Sequence, residues 1–98
     1  MLKINIKKYS IMKKIIIIGA GAMGSAFAVP CLENQNEVTL VGTHLEDDLI
    51  NKIKLNNNFH PALNIELPSK LKVEKFEKLR SILEDKVDII VAGVSSIG

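Results

Sequence analysis

Four consecutive isoleucines, Ile15–Ile18, run directly into Gly19-Ala20-Gly21-Ala22-Met23-Gly24. A β-branched run of this kind suits a strand buried on both faces, as in a parallel sheet covered by helices. The glycines permit a sharp turn, and the stretch from Ser25 to Glu33 then carries Phe27, Ala28, Cys31 and Leu32 at helical spacing. Strand, glycine turn and helix in that order predict the first unit of a doubly wound α/β sheet. Pro30 lies deep in the predicted helix, where its missing amide either bends the axis or ends the helix near Val29.

The rest of the chain repeats the alternation. Asn34-Gln35-Asn36 reads as a polar turn, and Val38–Val41 as a second strand ended by Gly42. A helix is predicted from Leu45, with Leu45, Leu49, Ile50 and Ile53 on one face. Glu46, Asp47 and Asp48 fall in its first turn, at the positive end of the helix dipole. Residues 54–69, with Asn56-Asn57-Asn58, His60-Pro61 and Leu67-Pro68, read as a long loop. Leu71–Val73 predicts a strand, Phe76, Leu79, Ile82 and Leu83 mark a helix, and residues 87–92 predict another buried strand closing at Gly93. The fold class expected is α/β, the amino-terminal βαβαβαβ portion of a partial Rossmann-type doubly wound parallel sheet with right-handed crossovers. Residues 12–98 form this incomplete domain. Residues 1–11 have no apolar period and precede Met12-Lys13-Lys14, so they read as an upstream extension.

Composition excludes several other classes. A chain of 98 residues holds one domain at most. Thirteen Lys and Arg against eleven Asp and Glu leave +2, too little for a basic nucleic-acid module. The single cysteine, Cys31, excludes a disulfide framework and a cysteine-built zinc site. Lys13 to Cys31 has the outline of a lipoprotein signal, but Gly19, Gly21 and Gly24 interrupt its apolar part and Pro30 stands before the cysteine. No other stretch reaches the ~18 apolar residues of a membrane span. The expectation is therefore no nucleic acid, no membrane span, and a cytoplasmic location by default.

The G-x-G-x-x-G spacing between a strand and a helix points to a dinucleotide site. Gly19 allows the turn out of the strand, Gly21 lets a pyrophosphate approach the backbone, and Gly24 lets helix and strand pack closely. Amides at the helix start, including those of Ala22 and Met23, then face the phosphates. An acid at the end of the second strand would bind the adenine ribose and select NAD. Gly42-Thr43-His44 stands there instead, so Thr43 and His44 are the ribose-facing candidates and the cofactor reading is NAD(P) with a weak lean to NADP. Glu46 is close enough in sequence to qualify that lean, but reads first as part of the helix start. Val94 and Ser95 follow the last strand and are expected to line the cofactor. His60 has no second metal ligand at suitable spacing and reads as structural, and no catalytic or metal-binding residue is assigned.

Together these residues carry a family resemblance. Lys13-Lys14, the isoleucine run, the glycine motif and Asn36–Gly42 are similar to the amino-terminal part of glycerol-3-phosphate dehydrogenases. Gly42–Ile50, Phe59–Leu63, Leu67-Pro68 with Leu71–Val73, and Asp88–Ser95 are similar too. The glycine motif with Val38–Gly42 also resembles ketopantoate reductase, but the His60-Pro61-x-Leu63 loop and the Leu67-Pro68 turn favour the former. The chain departs from the family at Met23, where many members have an aromatic residue. It departs again at Thr43, where many have Arg or His, and at Ser95, where many have Pro. The resemblance implies a full-length enzyme that reduces dihydroxyacetone phosphate with NAD(P)H to sn-glycerol 3-phosphate for phospholipid synthesis. It also implies a helical substrate domain, absent here, that carries the catalytic lysine, and it is compatible with a homodimer at full length. The 98-residue chain alone is then expected to be inactive. A dinucleotide-binding module without chemistry is the remaining alternative.

Overall fold

The structure is a computed structural model that describes residues 12–93. Its main sheet has four strands: β1 (Lys14–Ile18), β2 (Glu37–Val41), β5 (Lys72–Glu74) and β6 (Ile89–Ala92), in the order β5-β2-β1-β6. All three pairings are parallel, with Ile15 opposite Val38 and Ile89, and Leu40 opposite Val73. Parallel neighbours require crossovers. These are α1 (Ala22–Glu33) between β1 and β2, α2 (Asp47–Leu55) between β2 and β5, and a 3-10 turn (Phe76–Lys78) leading into α3 (Leu79–Leu83) before β6. The chain is thus the expected partial Rossmann-type α/β fold.

The isoleucine run supplies the centre of the core. Ile16 and Ile17 are fully buried, and Ile17 packs in one cluster with Ala28, Cys31, Leu40, Ile50 and Ile53. Helix α1 runs through Pro30 without a break, contrary to an end at Val29. Ala26 and Pro30 are both exposed, so the carbonyl that loses its amide donor faces water.

Three expectations need correction. Helix α2 begins at Asp47 rather than Leu45, and Leu45 is 83% exposed instead of lying on its buried face. The cause is a turn in which the Glu46 amide donates to the Thr43 carbonyl (2.9 Å). Residues 54–69 are not simply a loop: β3 (Phe59–His60) and β4 (Ile65–Glu66) form a short antiparallel hairpin. Asn57, Asn58 and Asn64 have positive φ there, a conformation asparagine tolerates. Strand β6 forms as expected but is not buried, because it lies at the sheet edge with Ile89 and Ile90 43% and 54% exposed.

Candidate dinucleotide site at the carboxyl edge of the sheet

The carboxyl ends of the parallel strands are tied together backbone to backbone. The Gly19 amide donates to the Val41 carbonyl (2.7 Å), Gly93 to Ile18 (2.7 Å) and Gly42 to Glu74 (3.0 Å). In open α/β sheets ligands bind beyond this edge. Gly19 leaves β1 with φ 112°, a conformation that L side chains rarely adopt.

Helix α1 then starts against this turn. A Cβ on Gly24 would stand 2.3 Å from the Gly19 carbonyl oxygen, so only glycine permits the approach. Gly21, the residue before α1, has φ −65° and makes no side-chain cap. A Cβ built on it meets nothing within 4 Å. That position therefore faces open space, and the first-turn amides of Ala22, Met23 and Gly24 have no partner within the helix. Met23 is exposed beside them. An open backbone cradle at the positive end of a twelve-residue helix fits a pyrophosphate.

Ala20, fully buried between the glycines, is held from three directions. Its amide donates to Glu46 Oε1 (2.9 Å). Its carbonyl accepts from Ser25 Oγ (3.0 Å) and lies 2.8 Å from His60 Nε2. His60 Nδ1 accepts from the amides of Ala62 (3.2 Å) and Leu63 (3.3 Å), so the proton must be on Nε2, which donates to Ala20. Glu46 Oε1 also accepts from the Thr43 amide (2.8 Å), so one carboxylate joins the glycine loop to the loop after β2.

The structure thereby brings Gly19, Gly21, Ala22, Met23 and Gly24 to the same edge as Thr43 and His44. Thr43 is half-buried, and its Oγ1 accepts from the Leu45 amide (3.4 Å). His44 is exposed and its ring meets Phe76 edge-on, with centroids 6.0 Å apart. Val94 and Ser95 lie outside the described residues. The sequence reads His60 only as structural; its burial, its link to the glycine loop and the parts played by Glu46 and Ser25 emerge from the structure. Those contacts span 26 residues for Glu46 and 40 for His60, and no local pattern announces them.

Elsewhere the chain offers less. A groove of about 500 Å³ lined by Met12, Gln35, Asn36 and Lys70 lies at the amino ends of β1 and β2, away from the ligand edge. Burial pushes the Cys31 thiol up from its ordinary value. Among the described residues no three His, Cys, Asp or Glu side chains gather as metal ligands, and no helix is long and apolar enough to cross a membrane.

Fold and glycine cradle together define a Rossmann-type dinucleotide-binding domain. The comparisons with known proteins narrow the class. Residues 14–98 match the family described as the NAD-dependent glycerol-3-phosphate dehydrogenase N-terminus, and the chain belongs to that family. It is 38% identical over 86 residues to the NADP(+)-dependent glycerol-3-phosphate dehydrogenase of Archaeoglobus fulgidus, covering 86% of this chain and 24% of that protein. It is 42% identical over 62 residues to the glycerol-3-phosphate dehydrogenase [NAD(P)+] of Shouchella clausii, covering 62% of this chain and 18% of that protein. The chain therefore spans a quarter or less of the length of these curated relatives.

Proposed function

We propose that this chain is the cofactor-binding part of an NAD(P)-dependent glycerol-3-phosphate dehydrogenase, whose substrate contacts and catalytic groups lie outside it. The observation that carries the reading is the open face of Gly21 at the start of α1, in a chain matching this family over residues 14–98. When bound, NAD(P)H supplies the hydride that reduces the carbonyl of dihydroxyacetone phosphate to sn-glycerol 3-phosphate, a precursor of phospholipids.

The chain's own contribution is binding and orientation. Gly19 and Gly24 set the turn, and Gly21 leaves the pyrophosphate room to reach the amides of Ala22, Met23 and Gly24. On this reading Thr43 and His44 face the adenine ribose, and Val94 and Ser95, which lie outside the described residues, are cofactor-lining candidates from the sequence. The lean to NADP rests on Thr43 and His44 standing where an NAD-selecting acid would be, and on the name of the Archaeoglobus relative. Glu46 weighs less against it than its charge suggests, because one carboxylate oxygen is already held by two backbone amides.

The test is the oxidation of NADPH and NADH by the intact protein, with dihydroxyacetone phosphate or ketopantoate as acceptor. Turnover with dihydroxyacetone phosphate, faster with NADPH, is expected. Turnover with ketopantoate alone would overturn the substrate assignment, and faster turnover with NADH would overturn the cofactor lean.

A further inference from the structure

We propose that His60 is a positioning residue for the phosphate-binding loop, so that the β3–β4 hairpin acts as a buttress for cofactor binding. The proposal rests on the reading of the glycine loop as a pyrophosphate site and assigns a residue that supports it from outside.

His60 is fully buried on a strand of two residues, in a segment otherwise rich in exposed polar side chains. Burying an imidazole is costly unless its nitrogens are satisfied, and here both are. Nδ1 accepts from the turn amides of Ala62 and Leu63, and Nε2–H donates to the Ala20 carbonyl at 2.8 Å. The ring is therefore a rigid strut with one end in the hairpin and the other in the glycine loop. The hairpin is itself anchored: the Leu67 amide donates to the Asn58 carbonyl (2.7 Å), and Asn58 Nδ2 donates to the carbonyls of Pro68 (3.0 Å) and Leu71 (3.2 Å).

The peptide that His60 holds directly precedes the cradle. The Ala20 carbonyl belongs to the peptide linking Ala20 to Gly21, whose orientation sets the direction of the amides that follow. Gly21 has no side chain to lock it and no packing neighbour within 4 Å of its missing Cβ. External restraint on Ala20 is the means by which the fold keeps this permissive loop in one conformation. Ser25 Oγ shares the carbonyl, but from within α1 itself, whereas His60 ties the loop to a separate element.

Two substitutions separate the ends of the strut. His60→Gln places an amide donor near the position of Nε2 and removes the Nδ1 acceptor. His60→Asn places a carbonyl oxygen near Nδ1 and removes the donor to Ala20. The experiment measures NADPH affinity of the intact protein by fluorescence titration, together with amide hydrogen exchange of residues 20–24 without ligand. In His60→Asn, affinity is expected to fall about five- to tenfold, the loss of one hydrogen bond, with faster exchange across residues 20–24. In His60→Gln, affinity is expected to stay within about twofold of wild type, whatever happens to melting temperature. Equal affinities in folded His60→Asn and wild type, or exchange at residues 20–24 unchanged between the two variants, would overturn the proposal. If wild type fails to bind NADPH, the dinucleotide reading falls, and the exchange comparison alone still decides whether His60 holds the loop.

Discussion

Gly24 of α1 and Gly93 at the end of β6 stand back to back: a Cβ on Gly93 would lie 2.8 Å from the Gly24 Cα, and one on Gly24 would lie 3.4 Å from the Gly93 Cα. Two glycines distant in sequence thus set how closely the first helix approaches the sheet. The clash at Gly93 is with backbone, which cannot swing aside. Gly93→Ala is expected to destabilise the protein by about 1–3 kcal/mol, as overpacking does. Urea unfolding would show this as a lower midpoint at unchanged slope.

Gly21→Ala and Gly24→Ala should behave in opposite ways. Gly21 has φ −65° and open space around its missing Cβ, so alanine fits the free protein and is expected to leave its stability unchanged or higher by ~0.5 kcal/mol. The added methyl occupies the cradle, so NADPH affinity should fall at least about tenfold, the equivalent of ~1.4 kcal/mol. Gly24→Ala meets the Gly19 carbonyl oxygen at 2.3 Å and should lower the melting temperature first. Thermal melts beside NADPH titrations separate the two outcomes.

Glu46→Ala removes the carboxylate that binds the amides of Ala20 and Thr43. Bonds from a carboxylate to part-buried amides are worth more than neutral ones, and a loss of about 1–3 kcal/mol is expected. Glu46→Gln retains an acceptor oxygen and should lose less. Chemical denaturation of the two variants provides the comparison.

Gly42 and Ile50 form a coupled pair, because a Cβ on Gly42 would meet Ile50 Cγ1 at 2.6 Å. Ile50→Ala alone opens a cavity in the core and should cost about 2–5 kcal/mol. Adding Gly42→Ala places a methyl where side-chain atoms have left, so the double variant should be more stable than the sum of the single losses implies. A double-mutant cycle by denaturation measures that coupling.

Burial raises the Cys31 thiol above its ordinary 9.0, because the thiolate is poorly solvated in the core. The folded protein then holds the proton more tightly than the unfolded chain. This contribution to stability is complete below the unfolded value and is lost as pH rises through the folded one. Cys31→Ser should accordingly weaken the decline in stability on the alkaline side of pH 9.0. Unfolding midpoints across that range test the sign.

The sheet was legible in the sequence because its signals are local. Ile15–Ile18 declared a buried strand, the glycine spacing declared the turn, and their adjacency declared the edge on which a ligand would sit. What was not legible depends on contacts across the chain. Leu45 looked like the first apolar residue of a helix, but the Glu46 side chain reaches back to Ala20 and Thr43, and the turn this closes leaves Leu45 in solvent. The hairpin at Phe59–Glu66 is too short to show a period of two, and its asparagines signal turns without saying what they connect. His60 reads from the sequence as structural, and the structure adds that it is fully buried. Its reach to the glycine loop appears only when β3 is packed beside β1's exit.

In the proposed function a pyrophosphate rests on the first turn of α1. The most direct measurement is the change in backbone amide NMR shifts of the intact protein as NADPH is titrated in. The largest changes are expected at Gly21, Ala22, Met23 and Gly24, with smaller ones at Thr43 and His44. Changes centred instead on Gln35, Asn36 and Lys70, at the opposite end of the strands, would contradict it.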